Sequence, residues 1–182
     1  MPYPLSQDRR ISRFYDYWNG LRQTGSIPSQ DLIDPVDLAP LLPFLWVVRW
    51  DEEARDFVYR LAGESILRNI RQSIRHKPLG AIYEPDVADA LRRRLQQVCS
   101  GPYAYYGRGQ IYGEIGRYGI GERLILPLVD EKGRPRLVIG CTVYATTNWP
   151  LTTPDPAPKP EAETGVYTTF DGTPVERIRE AG

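Results

Sequence analysis

The chain begins with a stripe of large apolar residues at helical spacing. Between residues 6 and 24 these side chains recur at intervals of three and four, the period of one helix face: Ile11, Phe14, Tyr15, Trp18 and Leu21. Asp34 and Pro35 then supply a capping residue and a first-turn proline for a short second helix. The pattern predicts an N-terminal helix with a broad apolar face.

Five segments carry the residue types and the alternation of β-strands. Two precede the central helices and three follow them: Leu45–Trp50, Phe57–Leu61, Tyr103–Tyr112, Gly121–Asp130 and Arg136–Ala145. Between them, residues 64–83 have a helical pattern broken by two turn residues, and residues 85–99 form the clearest helix. This order predicts an α+β domain with mainly antiparallel pairing.

After Ala145 the composition changes. Prolines 150, 154, 156, 158 and 160 cluster among polar residues, and this spacing opposes helix and ladder formation. We therefore expect a tail that contributes little to folding, with at most a weak strand or helix in residues 166–179. The predicted organisation is an N-terminal helix and loop over residues 1–35, a core over 36–145 and a Pro-rich tail over 146–182.

Charge and cysteine content narrow the class of protein. Lys plus Arg number 23 and Asp plus Glu number 23, so no overall field attracts nucleic acid or anionic lipid. The two cysteines, Cys99 and Cys141, have no CxxC spacing, which favours a reducing compartment. No stretch has the signal-peptide pattern or the roughly 20 apolar residues of a membrane span. We expect a cytoplasmic protein without nucleic-acid or membrane partners.

The sequence carries no catalytic or metal-binding pattern. His76 is the one histidine, and its basic neighbours favour a solvated surface position over a metal, haem or triad role. Gly107-x-Gly109-x-x-x-Gly113 is out of register for a dinucleotide fingerprint and lies in a predicted strand, where glycine makes packing room. We predict no catalytic residue, no metal and no cofactor.

Three further features allow either a structural or a functional role: a basic run, a cysteine and an arginine within a strand. Arg92-Arg93-Arg94 lies on the strongest predicted helix, where a solvated face is favoured over docking of nucleic acid or an acidic partner. Cys99 is predicted to be a core or half-buried thiol. Arg60 is a charge within a strand, and it either pairs with Glu122 or Glu64 or clamps an anionic ligand.

Tyrosines are unusually frequent. Of the 12 in the chain, several crowd one region: Tyr103, Tyr105, Tyr106, Tyr112 and Tyr118. Such rings give a ligand cavity its apolar walls and a few hydroxyl groups, and they serve equally well to fill a core or a partner interface.

The element order and several short segments resemble PAS_5, a bacterial family of single PAS domains. The resemblance covers about residues 14–145 and rests on Tyr17-Trp18, Leu21-Arg22, Ile27-Pro28-Ser29, Ile33-Asp34-Pro35, Leu41-Leu42-Pro43 and Tyr59-Arg60-Leu61-Ala62-Gly63, with Leu124–Val143 similar to the last two strands. It implies a PAS-like five-stranded antiparallel sheet with flanking helices and an extra N-terminal helix. It also implies binding of a small molecule between helices and sheet, or of a protein through the sheet and the N-terminal helix.

The favoured function is therefore a non-catalytic signalling module that binds a small molecule, a protein partner or both. The candidate ligand-binding residues are Tyr59, Arg60, Tyr103, Tyr105, Tyr112, Ile125 and Cys141. The stripe on the first helix offers more apolar surface than one docking face hides, so we expect a homodimer through Ile11, Phe14, Tyr15 and Trp18. The alternatives are a small α+β cavity enzyme or ligand carrier, and an adaptor that acts through the tail.

Overall fold

The described residues contain three α-helices and six strands, with three short 3-10 helices between them. The computed structural model describes residues 3–22, 26–70, 72–101, 103–111, 119–145 and 163–175. The helices are α1 (Arg9–Gly20), α2 (Glu64–Ile70) and α3 (Pro85–Ser100). The strands are β1 (Leu45–Asp51), β2 (Asp56–Ala62), β3 (Ala104–Ile111), β4 (Gly119–Leu128), β5 (Leu137–Ala145) and β6 (Glu163–Thr168).

The strands form one antiparallel sheet in the order β2-β1-β5-β4-β3-β6. The predicted α+β class is confirmed, and β1 to β5 correspond to the five predicted strands. β6 is an additional strand that pairs with β3 from Gly109↔Glu163 to Ala104↔Thr168. The sequence assigned residues 163–175 to a tail, whereas the structure places β6 along one edge of the sheet; how much this segment contributes to folding stays a prediction.

Helix α1 covers one face of the sheet. Asp8 caps it, since its carboxylate accepts a hydrogen bond of 2.7 Å from the Arg10 backbone N–H. The Trp18 indole N–H donates to the carbonyl of Pro127 at 3.0 Å. This bond fixes the helix against β4, and the apolar stripe predicted from the sequence is the face that packs on β4 and β5.

The stripe on α1 is not available to a second chain. Exposure is 0 % for Ile11, Phe14 and Trp18 and 6 % for Tyr15, so the predicted dimer contact through these four residues is wrong. The reason is that Phe170, which follows β6, packs edge-on against Trp18 with ring centroids 5.0 Å apart and helps to cover the stripe. The homodimer itself stays a prediction, with its contact elsewhere.

Helices α2 and α3 cover the opposite face of the sheet. Val87, Leu95 and Val98 of α3 are buried there, as the helical pattern predicts. The basic run of α3 is not a wholly solvated face. Arg92 pairs with the buried carboxylate of Asp56 at 3.0 Å, and Arg94 is itself buried.

The outer edge of β2 is partly covered. The Tyr59 backbone N–H donates to the carbonyl of Lys77 at 3.1 Å, and the His76 N–H donates to the carbonyl of Tyr59 at 2.8 Å. These bonds occupy ladder positions that an edge strand would otherwise offer to another chain. Among the helices that the structure describes, none combines the length and apolar character needed to cross a bilayer.

Candidate ligand cavity between the sheet and the helices

A small cavity lies between the sheet and the pair α2 and α3. Its volume is about 50 Å³, well below the roughly 300 Å³ at which pockets for drug-sized ligands begin. Its walls are mainly apolar and aromatic, and the lining side chains come from both layers: Trp46, Tyr59, Ile66, Ile70, Leu79, Tyr83, Leu91, Leu95, Ile111, Arg123, Ile125, Thr142 and Tyr144.

Two glycines make room on this face of the sheet. Gly107 of β3 lies opposite Gly165 of β6. A Cβ atom on Gly107 would overlap the carboxylate of Glu163, and one on Gly165 would overlap the hydroxyl of Tyr105. The glycine-rich character of β3 is thus explained by the space it leaves for large polar groups from neighbouring positions, as the packing interpretation of these glycines predicts.

Neutral polar groups line the cavity wall. The hydroxyls of Tyr59 and Tyr83 are 3.0 Å apart and share a hydrogen bond. Burial raises the pKa of both tyrosines, so both keep their protons at neutral pH. The Trp46 indole N–H donates to the hydroxyl oxygen of Thr142 at 2.9 Å. The cavity therefore combines an apolar body with a few fixed hydroxyl groups.

A cluster of three buried charges stands beside the cavity. Arg94 of α3 and Arg123 of β4 both face the carboxylate of Glu163 of β6, with the three side chains 5 %, 10 % and 5 % exposed. Arg94 Nη1 lies 3.1 Å from Glu163 Oε2, and Arg123 Nε lies 3.0 Å from Glu163 Oε1. The Arg94 guanidinium also lies over the ring of Tyr105, 4.4 Å from its centroid.

The hydrogen bonding of this cluster is incomplete. Arg94 Nε, Arg123 Nε and Glu163 Oε1 are buried without a hydrogen-bond partner, although the last two atoms form an ion pair at 3.0 Å. Burial alone would lower the pKa of Arg123, but the negative charge of Glu163 raises it. Arg123 consequently carries a full positive charge at the cavity wall.

Four of the predicted ligand-binding residues lie on the cavity face of the sheet or in the core beside it. Tyr59 and Ile125 line the cavity. Tyr105 is buried in the same core, beside Tyr167 at 5.3 Å between ring centroids. Tyr103 is half-buried and packs against this core.

The other predicted residues are not brought to the cavity. Cys141 is buried on the α1 face of the sheet, and Arg60 is exposed on β2. None of the described ion pairs includes Arg60: Glu64 pairs with Arg68, and Glu122 accepts hydrogen bonds from Ser6 and Tyr106. Tyr112, the last of the predicted ligand-binding residues, lies outside the described residues, as does Tyr118 of the tyrosine-rich region.

The charged cluster was not predicted from the sequence. Arg123 could have been found by the reasoning applied to Arg60, since it too is a charge within an apolar strand, and alternation places it on the same face as Ile125. Arg94 was assigned to a solvated face because it lies within a basic run. Glu163 was assigned to the tail. Tyr83, Thr142 and Trp46 carried no signal beyond their residue types.

The described residues hold no cluster of three or more histidine, cysteine or acidic side chains that could bind a metal. Cys99 and Cys141 are free thiols. Burial raises the pKa of both, to about 12 for Cys99, so neither is a ready nucleophile.

The antiparallel sheet in the order β2-β1-β5-β4-β3-β6, with helices packed on it, places the domain in the α+β class. The profile of PAS_5, described as PAS domain, matches residues 7–143. The chain belongs to this family, and the predicted resemblance is confirmed. No curated protein matches the chain.

Solved structures with a similar fold include sensory proteins. "VqmA bound to DPO" has a TM-score of 0.48 and 14 % identity, covering 61 % of this chain and 56 % of that one. The Vibrio cholerae VqmA dimer without target DNA has the same score and identity, covering 61 % and 51 %. A fungal LOV domain photoreceptor has a TM-score of 0.41 and 15 % identity, covering 71 % and 88 %. The chain spans about half the length of the VqmA chains, and such likenesses concern the fold alone.

Proposed function

We propose that the chain is a sensory signalling module whose input is a small molecule bound in the cavity between the sheet and helices α2 and α3. The observation that carries the proposal is the convergence of Tyr59, Tyr83 and Arg123 on one largely apolar cavity. A binding site for a small molecule has this composition: apolar walls with a few fixed polar groups that set orientation.

The size of the cavity constrains the ligand. A volume of about 50 Å³ accommodates few non-hydrogen atoms, so we expect a small ligand or an outward shift of α2 when it binds. Helix α2 has seven residues, and Ile66 and Ile70 on it line the cavity. A helix this short owes its stability to packing, which makes it the wall most readily displaced.

The proposal assigns no chemistry to the chain. Both thiols have raised pKa values, and the proposed role of Arg123 is to bind rather than to react. A cytoplasmic location, homodimerisation and the absence of a nucleic-acid partner belong to the same proposal.

Native mass spectrometry of the freshly purified full chain tests this function. We expect a fraction of the protein to carry a small molecule that is released on denaturation. Leu91→Trp should remove the bound mass, because Leu91 is half-buried at the cavity wall and indole would fill the space. Leu32→Trp, at a position that is 48 % exposed, is the matched control and should keep it. Retention of the bound mass by folded Leu91→Trp would refute the cavity as the site.

A further inference from the structure

The charged cluster beside the cavity contains more positive than negative charge. Glu163 is the one carboxylate that the described ion pairs assign to Arg94 or Arg123. Two buried guanidinium groups therefore share one buried carboxylate. A buried charge without full compensation is strongly unfavourable, and the cluster also leaves Nε of both arginines without a hydrogen-bond acceptor.

We propose that the cavity binds a small organic monocarboxylate, whose carboxylate group is received by Arg123 and brings the cluster of Arg94, Arg123 and Glu163 to neutrality. This inference rests on the proposed function and names the chemical class of the ligand. Arg123 is the member of the cluster that lines the cavity, so it is the group that an entering anion meets.

The chemistry of the site favours a carboxylate over other anions. A planar guanidinium matches a carboxylate in two parallel hydrogen bonds. The remaining cavity wall is apolar and aromatic, which suits the hydrocarbon part of an organic acid. One negative charge completes the cluster, whereas a phosphate or sulfate dianion would carry one charge too many into a cavity of about 50 Å³.

The ligand joins Glu163 and does not replace it. Exchanging one carboxylate for another would leave the same excess of positive charge among the described groups of the cluster, whereas an added anion removes it. Glu163 is also held in place by the pairing of β6 with β3, in which it lies opposite Gly109. Because Glu163 belongs to β6, neutralising the two arginines stabilises the docked state of this strand.

Binding of matched acids and amides to the full chain tests the ligand class. Propionate and benzoate are compared with propionamide and benzamide by isothermal titration calorimetry at constant ionic strength. We expect each acid to bind about tenfold or more tightly than its amide, the usual gain from hydrogen bonds to a charged group. Arg123→Gln should reduce this ratio to about one, and it leaves Arg94 and Glu163 as a balanced pair.

Two further variants keep the test decisive. Arg108→Gln is the matched control, because it removes the same charge from an exposed position of β3 whose side chain lies on the other face of the sheet; it should retain the preference for acids. Glu163→Gln increases the excess of positive charge, so it should raise the ratio of acid to amide affinity above that of the natural chain. If Arg123→Gln does not fold, Arg123→Lys takes its place. Lysine keeps the positive charge but lacks the planar pair of N–H donors of a guanidinium. Its ratio of acid to amide affinity should therefore lie between that of the natural chain and one.

The outcomes separate this inference from the proposed function. Equal binding of acids and amides would overturn the monocarboxylate and leave the cavity as a ligand site. Failure of both series to bind overturns the monocarboxylate as well, and the proposed function falls only if native mass spectrometry also finds no bound molecule. Hydrogen exchange at β6 tests the mode of binding: we expect benzoate to slow it, and faster exchange would mean that the ligand displaces Glu163, contrary to the proposal.

Discussion

Replacing Phe170 by alanine tests whether the C-terminal segment is part of the folded domain. Phe170 is 6 % exposed and packs edge-on against Trp18 at 5.0 Å between centroids. The Arg22 guanidinium lies 4.7 Å from the Phe170 ring centroid. Truncation to alanine removes these contacts and leaves a cavity over α1. Such changes cost about 3–5 kcal/mol in protein cores, and we expect about 3 kcal/mol because Phe170 lies at the margin of its core.

Urea unfolding followed by far-UV circular dichroism gives the required free energies. At about 2–4 °C per kcal/mol for a chain of this length, the melting temperature should fall by about 6–12 °C. Val36→Ala is the matched control, because Val36 is 78 % exposed, and it should change stability by less than about 0.5 kcal/mol. A loss below about 1 kcal/mol for Phe170→Ala would refute the docking of this segment on α1 and restore the dispensable tail expected from the sequence.

Three further outcomes follow from buried groups. Burial alone would raise the pKa of Asp130, but hydrogen bonds from Arg134 lower it to about 2. The ionised carboxylate therefore stabilises the fold fully above its unfolded-state pKa near 4, and this stabilisation is lost as the pH falls toward 2. In Asp130→Asn, the free energy of unfolding should depend less on pH over that range. Thr142→Val leaves the Trp46 indole N–H without its acceptor and should cost about 1–3 kcal/mol in urea unfolding, whereas Thr142→Ser should cost less. Phe14→Glu buries a charge at a position with 0 % exposure and should abolish cooperative urea unfolding; a cooperative transition like that of the natural chain would contradict the burial of α1.

Local pattern was sufficient to predict most of the elements. The period of the stripe on α1 and the alternation in β1 to β5 are properties of neighbouring residues, and both are confirmed. What covers the stripe is a long-range property, because Phe170 lies 150 residues beyond the end of α1 in the sequence. Interpreting the stripe as a dimer contact failed for that reason.

Local pattern was also insufficient to predict which single residues reach the cavity. Alternation places Cys141 and Thr142 on opposite faces of β5, but it does not say which face lies under α2 and α3, so Cys141 was selected and Thr142 was not. Arg94 and Glu163 meet only because β6 pairs with the edge of β3. No sequence spacing within α3 contains that information, and the proline cluster before β6 suggested the opposite.

The segment that follows the proline cluster contacts both layers of the domain. On the cavity face, Glu163 holds Arg94 and Arg123. On the α1 face, the hydroxyls of Thr168 and Tyr3 are 2.9 Å apart, and Phe170 packs against Trp18. A ligand that strengthens the docking of β6 should therefore also stabilise α1. We expect benzoate to slow hydrogen exchange in α1 of the natural chain and to lose part of this effect in Phe170→Ala while its affinity is retained. The substitution removes the ring contact with Trp18 but no group of the cavity, and the hydrogen bond from the Tyr15 hydroxyl to the backbone carbonyl of residue 170 remains. An unchanged effect in the variant would show that the sheet or the backbone of residue 170, and not the Phe170 ring, connects the cavity to the first helix.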